Sequence, residues 1–243
     1  MRFLVFAKRN TKEMLRDPIN MAFGIGFPVI LLLLLTAIQS NVPVSLFDLD
    51  KLTPGIAVFG LSFISLFSAT LISKDRSSSL LSRLFTTPMT AADYILGYTL
   101  PLLPMALAQS LICYLCAFIL GLQPTKHVII ALLMIIPVSL IFIAIGLLCG
   151  SLLNDKQVGG LCGALLTNLT AWLSGTWFDL SLVGGAFKKV AYALPFVHSV
   201  DMGKAILAGS YSGIFPHLWW VLAYGVVLLI VSIWTFRGRM KAV

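Results

Sequence analysis

Six stretches of this chain run for more than twenty residues without an Asp, Glu, Lys or Arg: 18–47, 52–73, 94–125, 127–154, 157–178 and 205–236. A helix rises about 1.5 Å per residue, so about 20 residues cross a hydrocarbon core about 30 Å thick. Each stretch is therefore long enough to span a bilayer. The apolar residues come as continuous runs rather than as alternating ten-residue segments, which excludes a transmembrane β-barrel. The 59% hydrophobic and 11% charged composition, with a mean hydropathy of +0.99, likewise excludes an ordinary soluble globule. The expected fold is an all-α membrane protein of six transmembrane helices.

The net charge of +8 points to orientation rather than to nucleic acid, because the basic residues lie between the spans. With the N-terminus in the cytoplasm, the inner set is Arg2, Lys8, Arg9, Lys12, Arg16, Lys74, Arg76, Arg83, Lys156, Arg237, Arg239 and Lys241. The outer set is Lys51, Lys126, Lys188, Lys189 and Lys204. This bias places both termini inside. Residues 1–20 are amphipathic, with Pro18 as a break before the first span, and read as an interfacial helix rather than as a cleaved leader.

Residues 74–97 form the longest water-facing segment between two spans. Ser77 to Ser79 offer N-cap hydroxyls, Asp75 brings negative charge ahead of the helix start, and Pro88 bounds the helix. Leu80, Leu81, Leu84 and Phe85 make a compact apolar ridge. Thr90 and Asp93 have capping-box spacing for the next helix. From spacing alone the 74–90 segment is either an interfacial helix resting on headgroups or a docking ridge for a soluble partner.

Within the spans, Pro101 and Pro104 are expected to loosen the third helix. Gln109 reads as interhelical glue or as a cavity contact, and the hydroxyls of Ser62, Ser65, Ser68 and Thr70 as a polar path or as helix-to-helix hydrogen bonds. G-x-x-x-G pairs at Gly146/Gly150 and Gly159/Gly163 permit close packing, between the fourth and fifth spans or between two copies of the chain. Cys113 and Cys116 lie inside an apolar helix, where packing accounts for them better than a metal or redox role. Segment 176–204 is apolar but repeatedly broken, so it is expected to dip into or lie on the outer leaflet as short helices. No G-x-x-x-x-G-K-[ST] occurs, and no charged residue is expected mid-span for ion coupling.

Two motifs carry a family resemblance. The run of Asp75, Arg76, Ser79, Leu80, Arg83, Leu84, Thr86, Thr87 and Pro88 resembles the coupling helix of type-2 ABC exporter permeases, drug- and antibiotic-resistance exporters among them. Family members often carry Glu-Arg-Glu-x-Gly ahead of the ridge, where this chain has Lys74 to Ser78. Before the last span, L-S-G-x-x-F followed by N-P-x-x-x-x-V-D-x-x-R is matched by Gly175, Phe178, Pro195, Val200, Asp201 and Lys204, with Leu194 in place of Asn and Lys204 in place of Arg. Asp201 and Lys204, three residues apart, are expected to pair.

The resemblance implies one permease domain over residues 1–243, in the inner membrane of a bacterium or archaeon. It implies that Arg76, Leu80, Leu81, Arg83, Leu84, Phe85, Thr86, Thr87 and Pro88 dock an ATP-binding-cassette subunit. ATP and Mg would reside on that partner, with no cofactor on this chain, and a second permease half, identical or homologous, would complete the pore. The implied cargo is a drug-like compound or lipid, with a lipid-linked glycan as the alternative. An intramembrane enzyme would need a convergent acid, His or nucleophile cluster within the spans, and a non-transporting scaffold would lack the ATPase.

Overall fold

The protein is represented by a computed structural model that describes residues 2–43, 45 and 47–241; the side chains of Arg239 and Lys241, both counted in the inner basic set, lie outside the described part. An amphipathic helix α1 (Arg2–Leu15) precedes a first long helix α2 (Pro18–Gln39). Asp17 caps the start of α2 by accepting from the Asn20 amide, and Pro18 sits at its first position, where no amide donor is needed. The glycine-rich start of α2 is softened as a π-helical turn over Ala22–Gly26.

Helix α3 (Leu49–Ser77) is the axis of the bundle. It packs against α2, α5 (Ala91–Ile119), α6 (His127–Leu152) and α9 (Pro195–Leu207), and it is buried along most of its length. Between α3 and α5 lies the short α4 (Leu80–Phe85). Helix α5 runs unbroken through Pro101 and Pro104. The last helix, α10 (Ile214–Lys241), packs on α6 and α9.

Among the described residues, five helices are long and apolar enough to cross a membrane: Pro18–Gln39, Leu49–Ser77, Ala91–Ile119, His127–Leu152 and Tyr211–Gly238. The expected fifth span is not among these five; its residues form a continuous helical run, α7, made of Asp155–Val158, the π-helical Gly159–Leu166 and Thr167–Leu173. Lys156, Gln157, Thr167, Asn168 and Thr170 make it more polar than the other five, and it ends at Leu173 rather than at 178. The expected outer segment forms a short helix α8 (Gly185–Tyr192) and then α9. Phe196, Val197, Val200, Met202 and Ile206 of α9 are buried in the bundle end, so this helix is inserted rather than laid on a surface.

The G-x-x-x-G pairs do not join the fourth and fifth spans. Gly146 and Gly150 abut α3: a Cβ at Gly146 would lie 2.4 Å from the Ser65 carbonyl oxygen, and one at Gly150 would lie 2.6 Å from that of Ala69. Gly163 also faces α3, against Leu66, whereas Gly159 and Gly160 are open. Of the α3 hydroxyls, that of Ser68 lies in this seam, while Thr70 lines a groove with Glu13, Met14 and Asp17. Ser62 bonds back to the Phe59 carbonyl at 2.7 Å and Ser68 reaches the Ile143 carbonyl at 3.5 Å, so these two serve the helix and its packing.

Candidate functional site

Both chain-terminal helices come together at one end of the bundle with α4. Phe6 of α1 meets Tyr94 edge-on at 5.7 Å, and Tyr94 stacks on Phe236 of α10 at 6.0 Å. The basic residues of α1, the α3 C-terminus, α4 and the α10 C-terminus therefore share this end. Lys51 and Lys204 lie together at the other.

The 74–90 segment differs from the expectation in where its helices begin and end. Helix α3 continues to Ser77, so Asp75 is not a charge ahead of a new helix but a buried residue near the end of an old one. The hydroxyls of Ser77 and Ser78 donate back to the carbonyls of Lys74 and Asp75, closing α3 instead of capping α4. The break falls at Ser79, whose φ of +59° is in the left-handed region. For a serine that conformation costs about 1–2 kcal/mol, and surrounding packing must hold it.

The apolar ridge of α4 faces inward. Leu81 is buried, while Leu80, Leu84 and Phe85 are half-buried. Phe85 packs edge-on against Tyr94 at 5.4 Å and against Phe236 at 6.4 Å, and the Tyr94 hydroxyl donates to the Leu84 carbonyl. Ser82, Arg83, Thr86, Thr87 and Pro88 form the exposed face. Arg76 is half-buried and donates to the carbonyls of Ser151, at 2.6 Å, and Leu153, serving acceptors left unpaired where α6 ends. Helical spacing sets which residues share a side, and packing against α5 and α10 sets which side faces the bundle. The Thr90/Asp93 capping box forms as expected, with each residue bonding the other's backbone amide.

A clamp between residues distant in the sequence holds α1 to this end. Arg9 pairs with Asp75 at 2.5 Å, and the Tyr98 hydroxyl donates to the same carboxylate at 2.8 Å. Asn10 donates to the Gly97 carbonyl at 3.0 Å, and Gly97 lies under the Phe6 ring, where a Cβ would approach to 2.4 Å. The available signal was a lone acid flanked by Lys74 and Arg76, with a basic amphipathic helix elsewhere in the chain.

Gln109 is fully buried, but it is not a hydrogen bond across helices. Its amide nitrogen contacts Cys113 Sγ at 3.5 Å on its own helix and sits in the notch left by Gly60, where a Cβ would lie 2.1 Å away. Its carbonyl oxygen has no partner among the described residues.

At the far end, Gly175 adopts φ +71° and its carbonyl accepts from Lys204 Nζ at 2.7 Å. The expected Asp201–Lys204 ion pair is not among the ion pairs of the described residues. Instead Asp201 accepts from the Tyr192 hydroxyl at 3.1 Å. Burial and the Asp201 carboxylate push the Tyr192 phenol up to about 12, so it remains a donor at neutral pH. Phe178 stacks on Phe187 at 6.3 Å, and Pro195 opens α9 at its first position.

Beside this motif, His198 stacks on Trp220 at 5.0 Å and meets the Tyr192 carbonyl through Nε2 at 3.0 Å and His217 Nδ1 through its own Nδ1 at 2.9 Å. Burial lowers the His198 pKa, aided by His217 and opposed by the Tyr192 carbonyl and Asp201. A histidine whose folded pKa lies below its unfolded value adds stability above the unfolded pKa, and that stability is lost as pH falls through the folded one. Amide exchange across 193–200 is therefore expected to be faster near pH 5 than near pH 7.5, with the difference reduced in His198→Phe. Hydrogen-exchange mass spectrometry at the two pH values checks this, with rates corrected for intrinsic pH dependence.

Fold and sequence together define a multi-pass, all-α membrane protein. The chain belongs to the ABC-2 type transporter family, whose model matches residues 1–208. No curated protein matches it. It is accordingly a membrane component of an ABC transporter, of the permease kind.

Proposed function

We propose that this chain is the membrane half of an ATP-driven exporter, taking its energy from a separate ATP-binding-cassette subunit that docks on the exposed face of α4. The observation that carries this reading is mechanical. Helix α4 projects from the end that holds both chain-terminal helices, follows α3 through the Ser79 break, and is braced on α5 and α10 by Phe85 against Tyr94 and Phe236. A push on Ser82, Arg83, Thr86, Thr87 or Pro88 would thus be delivered to three spans at once. The inward ridge of Leu81, Leu84 and Phe85 transmits, and the polar face makes contact.

In this reading ATP and Mg stay on the partner, the docking end is cytoplasmic in keeping with its basic residues, and a second permease half completes the passage. The cargo is a hydrophobic drug-like compound, a lipid or a lipid-linked molecule, because the spans are apolar. Co-purification of the ATP-binding subunit with the Arg83→Glu/Thr86→Asp variant tests the reading. Retention is expected to fall about tenfold or more, as for loss of a hydrogen bond or ion contact with a charged group, while the thermal midpoint of the permease stays unchanged. Full retention would overturn the docking face.

A further inference from the structure

At the end opposite α4, Lys204, Asp201, Asp179, Trp177, Phe178 and Tyr192 are among the residues lining a cavity of about 470 Å³. Lys204 is the unusual member. Its ammonium is largely withdrawn from water, which lowers its pKa, yet it takes part in none of the ion pairs of the described residues. Its hydrogen bond to the Gly175 carbonyl uses one of three donors. A desolvated cation so placed favours an anionic group.

The carboxylates change which anion fits. Asp201 is held by the Tyr192 hydroxyl and Asp179 by the Ser181 amide at 2.8 Å, so both stay on the wall rather than closing on Lys204. Lys51, also on the wall, is paired with Asp48 at 3.1 Å. A purely anionic ligand would meet two acids and a purely cationic one two amines, whereas a dipolar headgroup satisfies both signs. The rest of the wall is Trp177, Phe178, Leu180, Leu182 and Tyr192 with Ser45, Gly175 and Thr176, and Leu182, 78% exposed, is followed by Val183, 55% exposed. These two exposed side chains suit acyl chains.

We propose that this cavity binds the headgroup of a zwitterionic phospholipid bearing a primary ammonium, its phosphate on Lys204 and its ammonium on Asp201 and Asp179, with the acyl chains over Leu182 and Val183. The site is independent of the docking reading, since it lies at the other end of the bundle and needs no ATPase.

The test is native mass spectrometry of the full chain in detergent, offered equal amounts of phosphatidylethanolamine and phosphatidylglycerol. The wild type is expected to retain phosphatidylethanolamine preferentially. Lys204→Gln and Asp201→Asn are each expected to lower that retention about tenfold, as for loss of one charge-assisted hydrogen bond, and Lys204→Arg to keep most of it. Because Lys204→Gln also removes the bond to Gly175, Asp179→Asn, altering an exposed side chain, provides a variant whose fold is not at risk; it too is expected to lower the preference. Soluble glycerophosphoethanolamine in millimolar excess is expected not to displace the lipid. Equal retention of the two lipids by the wild type, a preference that survives all three charge-removing substitutions, or complete displacement by the soluble headgroup would each overturn the proposal.

Discussion

Asp75→Ala is expected to lower the thermal unfolding midpoint of the detergent-solubilised chain by about 5–10 °C, at about 2–4 °C per kcal/mol for a chain of this size. The substitution strands Arg9 and the Tyr98 hydroxyl together, since both converge on one carboxylate. Breaking a fully buried pair costs about 3–5 kcal/mol. Here the Asp75 side chain is 3% exposed but that of Arg9 is 35% exposed, so the guanidinium recovers part of its hydration and the expected cost is about 2–4 kcal/mol. Asp75→Asn should cost less, because the amide oxygen still accepts from Tyr98. The triple variant Arg9→Met/Asp75→Leu/Tyr98→Phe removes every polar group of the clamp and is expected to recover most of the lost midpoint, since an apolar replacement of similar volume avoids desolvation altogether. Unchanged stability in Asp75→Ala would mean that α1 is not held through this pair.

The clamp also shows where sequence reasoning ends. Five of the six charge-free runs coincide with long apolar helices because the bilayer sets a length that the chain must meet, and the capping box near Thr90 is legible because its chemistry is local. The pairing of Arg9 with Asp75 joins residues 66 positions apart and depends on how helices pack, about which periodicity is silent. The same limit explains the ridge of α4. Spacing grouped Leu80, Leu81, Leu84 and Phe85 on one side, and an exposed apolar side would suit a partner, but Tyr94 and Phe236 already cover it. Arg76 falls in the motif that implies ATPase docking, and its guanidinium serves the carbonyls ending α6 because α3 and α6 finish side by side. At the far end the i, i+3 spacing of Asp201 and Lys204 suggested a pair, while the positive φ at Gly175 turns a carbonyl toward the lysine and Tyr192 takes the acid.

Gly146→Ala is expected to cost about 2–3 kcal/mol, a large effect for one methyl group and near the upper end for overpacking a well-filled core. The added Cβ would stand 2.4 Å from the Ser65 carbonyl oxygen and 2.6 Å from Ser68 Cβ. The first of these is backbone within a helix, so no rotamer change relieves it and α3 and α6 must move apart. That seam is the most extensive helix pairing in the bundle, and Ile64, Ile72, Ile143 and Leu147 are buried in the same core. Gly146→Val, with further atoms aimed at the same carbonyl, is expected to leave little folded protein in the membrane fraction. The control is Gly159→Ala. Gly159 has helical φ −57° and ψ −44°, and a Cβ there meets nothing within 4 Å, so the exchange should not lower the midpoint of the isolated chain. The two substitutions are chemically identical and fall in the same sequence motif, so a motif-level role predicts equal effects, whereas contact with α3 predicts loss at Gly146 alone. Thermal midpoints of the two variants, measured in the same detergent, decide between them. Equal loss would remove the close approach of α6 to α3, and with it the reason that Ser68 sits in a packed seam rather than along a passage.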